Sequence, residues 1–190
     1  MTESEILKIV KSMKNKLSKQ DPIPIEFLKN DEVILNIIVP FITKMVNVSL
    51  ETGIVPEELK NGFVTPIIKK PSLNKNDFKN YRPVTNLSFL SKILEKVVYN
   101  QLIGHIKKYE LFDEFQSAYR EGHSIETVLA SVKNEIEVDL DHGYGSILVL
   151  LDGSAAFDTV EFSVLLQRLR NFCFGVSDSA IRWFKSLYLW

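Results

Sequence analysis

The stretch SILVLLDGSAAFDTV runs from Ser146 to Val160. Five apolar residues, Ile147 to Leu151, lead directly into Asp152, and the small residues Gly153, Ser154 and Ala155 follow. A short unbroken apolar run predicts a strand covered on both faces, here over 146–152. Asp152 then falls at the rim of a buried strand, with its backbone fixed in a sheet and its carboxylate free to reach a cleft. Such rigidity suits magnesium, which asks for oxygen ligands in near-octahedral positions and keeps water and phosphate partners. The small residues after it would let a ligand approach the backbone closely. The same pattern has a plainer reading, in which Asp152 or Ser154 caps the next helix and Asp158 balances a first turn. Phe157 reads as an aromatic that packs at a helix start.

Outward from that stretch, the chain reads as helices with a few strands between them. Residues 3–18 predict an amphipathic helix ended by the turn at Asp21–Pro24. Residues 32–52 place Val33, Ile37, Ile38, Phe41, Met45 and Val48 at helical spacing, with Pro40 kinking or dividing the helix and Gly53 capping it. Pro56 opens another turn, with Glu57 and Glu58 at the positive end of its dipole. FVTPIIKK (63–70) reads as a strand with Pro66 at an edge, PSLNKNDFKN (71–80) as a polar loop, and YRPVTNL (81–87) as the returning strand. Ser88 caps a long helix carrying Leu90, Leu94, Val97, Leu102 and Ile106. FQSAYREGHS (115–124) is a connector, and Ser124 caps a helix with Ile125, Val128, Val132, Ile136 and Leu140 on one face. Gly143 and Gly145 end it. Helices over about 159–172 and 177–189 complete the chain. No linker and no internal repeat divides it.

The chain has 190 residues, 45% hydrophobic and 25% charged. That is enough for one domain with its own core, without disulfides or metal staples. Apolar residues are too plentiful for disorder. The uninterrupted apolar runs are far shorter than the ~20 residues of a membrane span, and MTESEILKIV lacks the basic leader and long apolar core of a secretory signal. The lone Cys173 reads as a core residue and permits no internal disulfide, so a reducing, intracellular setting is expected, nuclear or cytoplasmic. His105, His123 and His142 have no ligand-like spacing. Net charge is −1, but residues 60–82 hold Lys60, Lys69, Lys70, Lys75, Lys79 and Arg82 against Asp77 alone, a local +5. Such a patch either holds phosphates or is a solvated lysine-rich loop.

Three blocks carry further meaning: IIKK (67–70) with NYRPVTNLSFLSKILEKVVYNQL (80–102), then FQSAYREGHSIETVL (115–129), then LLDGSAAFDTV (150–160). In this order and spacing they resemble the fingers and early palm of reverse transcriptases of non-LTR retrotransposons. DPIPIEFLK and FGVSDSAIRWFKSLY extend the resemblance over nearly the whole chain. It implies an α+β, helix-rich fold: right-hand polymerase fingers over about 1–142 and an incomplete palm from about 143 to 190.

The resemblance also implies roles. Asp152 corresponds to the aspartate that binds the catalytic metals, and the backbone carbonyl of Gly153 to a second oxygen ligand. Phe157 corresponds to the aromatic that lies under the incoming sugar and excludes ribonucleotides. Arg82 corresponds to the fingers arginine on the triphosphate, a task that suits a bidentate guanidinium. Lys69 and Lys70 match the basic pair on the preceding strand, and Arg120 is a weaker match. The implied partners are an RNA template, a DNA primer and deoxynucleoside triphosphates, with no membrane. The implied cofactor is Mg²⁺, two ions in the full-length family, about 3.5–4 Å apart across the attacking and leaving oxygens.

The departures are specific. Gly153 stands where relatives often carry a larger apolar residue. QSAYREGHS replaces a glycine followed by an aromatic and arginine. Glu161 and Phe162 replace an aspartate–histidine pair. The family's other metal carboxylates come from an aromatic–x–Asp–Asp turn, and the 190 residues contain no adjacent Asp–Asp pair. Later palm strands, the thumb and an endonuclease segment are not expected within these residues. The expectation is a truncated RNA-directed DNA polymerase fragment, inactive alone. The alternatives are a non-catalytic nucleic-acid-binding or interaction module, or an inert remnant of a retroelement.

Overall fold

A computed structural model describes residues 1–15, 21, 24–153, 156–170 and 174–188. The chain falls into two compact units, Met1–Lys108 with Phe162–Trp190, and Tyr109–Glu161. Among the described residues the architecture is helix-rich, with a single sheet of two antiparallel strands.

The first unit is built on three long helices. Helix α1, Glu3–Ser12, starts at a capping box in which Thr2 and Glu5 satisfy each other's backbone N–H groups. It buries Ile6, Ile9 and Val10, and it ends six residues short of the expected boundary, with 16–20 lying outside the described residues. A short helix α2, Ile25–Asn30, follows. Helix α3, Glu32–Thr52, is capped by Asp31, whose carboxylate accepts from the N–H groups of Val33 and Ile34 at 2.9 and 3.1 Å. Pro40 does not divide α3. The carbonyl whose usual donor Pro40 lacks belongs to Asn36, four residues earlier, and both residues are exposed, so the missing bond falls on the solvent side of the helix. Gly53 ends α3 in the left-handed conformation at φ +69°, and a Cβ there would meet Arg182 Cβ at 3.0 Å and the Ser179 carbonyl at 3.1 Å.

Helix α3 corrects a sequence expectation. Its apolar residues are interrupted by polar ones, yet an 18-residue window within it reaches a mean hydropathy of 1.8, so by length and composition alone the helix is long and apolar enough to cross a membrane. Here one stripe of it, Leu35, Val39, Ile42 and Val46, lies in the core with Ile6 and Val10 of α1 and with Ile93, Leu94 and Val97. The last three come from α5, Phe89–Lys108, where Ser88 Oγ accepts from Ser91 N–H at 3.2 Å as the expected cap. Leu90, Leu102 and Ile106 of the predicted α5 face are only partly buried. Between α3 and α5 lie α4, Glu57–Lys60, and a hairpin of β1, Gly62–Ile68, and β2, Tyr81–Leu87.

Helices α7, Phe162–Arg170, and α8, Asp178–Tyr188, close the unit. Cys173 lies outside the described residues. Trp183 of α8 is buried against α3: its indole N–H donates to Ser49 Oγ at 3.0 Å, and Ser49 Oγ donates to the Ile54 carbonyl at 2.6 Å. That relay satisfies a buried indole which would otherwise cost about 1–3 kcal/mol.

The second unit holds helix α6, Ile125–Asp141, whose Ser124 forms the predicted cap, here as a box with Thr127. None of its described residues is buried. The segment 146–152 overturns the expected buried strand. It is irregular, and Ile147, Leu148, Val149, Leu150 and Leu151 are all exposed. The physical reason is pairing. A strand completes its hydrogen bonds only on a neighbour, and no described strand lies beside this segment; among the described residues the only ladder joins β1 to β2. Asp152 is therefore not fixed at a sheet rim.

Candidate nucleotide and nucleic-acid interface

Sequence chemistry sets the hairpin geometry. The register pairs Ile67 with Arg82 and Pro66 with Pro83. Lys69 N–H donates to the Asn80 carbonyl at 2.8 Å, which makes 69 and 80 a hydrogen-bonded pair. Bonded and non-bonded pairs alternate along an antiparallel ladder. Pro66 and Pro83 thus face each other at a non-bonded position, where neither needs an N–H. The same alternation puts Ile67, Arg82 and Lys69 on one face of the ribbon, with Arg82 directly across from Ile67. Arg82 is exposed, and its guanidinium bonds to none of the described residues. Lys70 follows at the start of the turn and is also exposed.

Two of the expected cations are engaged. Lys69 Nζ donates to the Lys79 carbonyl at 2.9 Å, which pins its ammonium against the turn without neutralising it. Lys60 is ion-paired to Glu57 on α4, so the cationic group is better drawn as Lys69, Lys70, Lys75, Lys79 and Arg82 around Asp77.

The second unit carries Arg120, Asp152, Gly153 and Phe157. Arg120 Nη1 donates to the carbonyls of Asp113 and Gln116 at 3.1 and 2.9 Å, and its guanidinium lies 4.7 Å over the Phe112 ring. It staples its own connector through Nη1, which leaves the Nε and Nη2 donors for any further partner. Phe157 is 76% exposed, and its ring meets the edge of Tyr119 at 6.3 Å and 74°. Tyr119 takes φ +60°, a costly conformation for an aromatic residue. Beside it Phe115, Tyr119, His123, Ile125, Val128 and Leu129 line a groove of about 510 Å³. Tyr119 was legible only as part of the QSAYREG block.

Asp152 and Gly153 are exposed and adjacent. They offer one carboxylate and one carbonyl to a cation that takes six oxygens. Among the described residues no three His, Cys, Asp or Glu side chains come together as a metal cluster. Ser154, the alternative cap, lies outside the described residues. The residues present thus do not complete a two-metal centre.

Comparison with known proteins agrees with the blocks quoted above. The family described as "Reverse transcriptase (RNA-dependent DNA polymerase)" matches residues 68–188. That is well over half of the chain, which therefore belongs to the reverse transcriptase family. Lys69, Lys70, Arg82, Arg120, Asp152, Gly153 and Phe157 all fall inside the match. Among similar proteins of Drosophila melanogaster is the probable RNA-directed DNA polymerase from transposon BS, 27% identical over 132 residues, or 69% of this chain and 14% of that protein. The RNA-directed DNA polymerase from mobile element jockey is 26% identical over 131 residues, again 69% and 14%. The probable RNA-directed DNA polymerase from transposon X-element is 26% identical over 120 residues, 63% and 13%. The similarity is to polymerases of non-LTR retrotransposons, and the chain spans about 14% of the length of the first two relatives.

Proposed function

We propose that this chain is the fingers and first palm segment of an RNA-directed DNA polymerase of the non-LTR retrotransposon kind, and that it does not polymerise by itself. The fingers occupy about 1–142 and the palm begins at about 143. The observation that carries the reading is the hairpin face: Arg82 and Lys69 lie on one side of a ribbon inside the family match. A guanidinium fork and an ammonium there suit the oxygens of a deoxynucleoside triphosphate, and Lys70 adds charge at the turn. Phe157 would oppose a 2′-hydroxyl. Asp152 would supply one metal-binding carboxylate, with the Gly153 carbonyl beside it, and Arg120 would shape the connector before α6. In full-length enzymes of the family the implied Mg²⁺ stabilises the phosphoryl-transfer charge. The ligands in this chain are too few for that, so no catalytic step is assigned to it.

Primer extension on an RNA template, with Mg²⁺ and all four deoxynucleotides, tests the reading. No incorporation is expected from the 190-residue chain. Incorporation that disappears in Asp152→Asn would overturn the inactivity.

A second reading is favoured by the absence of a metal cluster among the described residues beside an intact cationic hairpin: a non-catalytic module that binds nucleic acid. Salt-dependent RNA binding, lost when Arg82→Ala and Lys69→Ala are combined, would favour it.

A further inference from the structure

The loop from Lys69 to Asn80 has no apolar core, yet it is closely bonded to itself. Asn74 Oδ1 accepts from Asn76 N–H at 3.0 Å, Asp77 Oδ1 accepts from Lys79 N–H at 3.0 Å, and Asn80 Nδ2 donates to the Asn74 carbonyl at 2.9 Å. Tyr81 Oη–H reaches back to the Lys75 carbonyl at 2.9 Å, and Lys69 Nζ holds the Lys79 carbonyl at 2.9 Å. Asparagine and aspartate here do what a hydrophobic cluster does elsewhere: they fix the backbone, through Asx-type bonds. A single 3₁₀ turn, Phe78–Asn80, sits at the end of this framework, and Phe78 is 91% exposed on it.

A loop ordered this fully does not need a phenylalanine for its own stability, and burying the ring would release roughly 2 kcal/mol. The ring instead stands in water on a loop rich in lysine. Lys75 and Lys79 flank it in the chain, Lys69, Lys70 and Arg82 lie at the base of the loop, and the only acid, Asp77, is turned to the Lys79 N–H. An exposed aromatic ring on a lysine-rich loop suits one ligand chemistry in particular: an unstacked nucleobase whose neighbouring phosphates meet the ammonium groups. An apolar protein pocket would not call for the lysines, and a duplex has no free base face to offer.

We propose that Phe78 is a base-stacking contact for single-stranded nucleic acid, with Lys75 and Lys79 on the adjoining phosphates. This rests on the reading of the hairpin as part of polymerase fingers and adds a residue and a ligand chemistry to it. The binding comes from stacking plus counterion release. It is tolerant of sequence, because every base has a π face.

The test is fluorescence anisotropy with the full 190-residue chain, a fluorescein-labelled twelve-nucleotide oligo(U), and a duplex of equal length, titrated at about 50, 100 and 200 mM salt. Phe78→Ala is expected to weaken oligo(U) binding by roughly 5- to 150-fold, the range for one lost base stack. It should leave the salt slope and duplex binding unchanged, and Phe78→Trp should restore affinity. Lys75→Ala and Lys79→Ala should each weaken both ligands and reduce the salt slope by about one. Oligo(U) binding that is salt-dependent but equal in Phe78→Ala and the parent overturns this inference alone. No binding of oligo(U) by the parent overturns it together with the nucleic-acid role of the hairpin.

Discussion

At Arg82, Lys69 and Arg120 the same chemistry meets three surroundings. Arg82 stands clear on the ribbon, Lys69 is tethered to a carbonyl but still charged, and Arg120 is held by its own turn through Nη1. The family resemblance named all three as phosphate candidates; only their neighbours distinguish them. Glu95 of α5 shows the converse, a residue inside a quoted block to which no role was assigned. Desolvation holds its carboxyl above the usual carboxylate range, with Lys92 opposing. The phenol of Tyr188 is also pushed up, first by its own burial and then by the charge on Glu95. In the unfolded chain Glu95 loses its proton near the ordinary value of 4.5, whereas the folded chain holds it to higher pH. The unfolded state then binds fewer protons, so stability falls as pH rises from 4.5 through the raised value. Glu95→Gln is therefore expected to leave the melting temperature unchanged below pH 4.5 and to raise it at neutral pH. Thermal melts across pH 4–8 check this; equal melting temperatures for the two proteins at pH 7 would contradict it.

Among the elements, α6 and the segment after it share one difficulty. Helix α6 has a capping box and a stripe of Val128, Val132 and Ile136 at helical spacing, so it forms from local chemistry. Its stripe is nevertheless not buried. The following segment exposes five apolar residues in succession, with Leu151 at 92% and Ile147 at 91%. Its backbone donors and acceptors are unpaired within the described fold, which makes it a template for intermolecular pairing. Leu150→Lys, at a position 84% exposed, should remove no core contact and should raise the monomer fraction. Size-exclusion chromatography with light scattering measures that fraction. A parent chain that is already monodisperse and melts cooperatively would refute the expectation. The hairpin has no such difficulty, because its strands pair with each other across a loop short enough to close locally.

For the whole molecule, charge separates the units more sharply than the net value of −1 suggests. The unit Met1–Lys108 with Phe162–Trp190 carries 21 basic and 12 acidic residues, or +9. Tyr109–Glu161 carries 2 and 12, or −10. A polyanion should therefore engage the first unit and avoid the second. Photo-crosslinking of the full chain to 4-thiouridine RNA, followed by peptide mapping, should place most crosslinks in the first unit, with 62–87 prominent. A majority of crosslinked peptides from 109–161 would contradict this charge argument. The partition follows from the fold, because the positive unit is assembled from two separate parts of the chain and a running charge count does not join them.

The sequence by itself determined what is settled within a few residues: the caps at Ser88 and Ser124, the stop at Gly53, the hairpin strands and the family blocks. Helix bonds close four residues away, and a hairpin closes across its own loop, so local chemistry suffices for them. Tertiary structure alone decided whether 146–152 paired as a strand, whether Pro40 broke α3, and which cations stayed free. The strand outcome depends on groups far along the chain, whereas the proline and cation outcomes rest on neighbours three to ten residues away whose placement only the folded backbone fixes. A strand needs a neighbour, a helix tolerates a proline where the lost bond faces solvent, and the oxygens nearest a guanidinium decide which of its donors remain for a ligand.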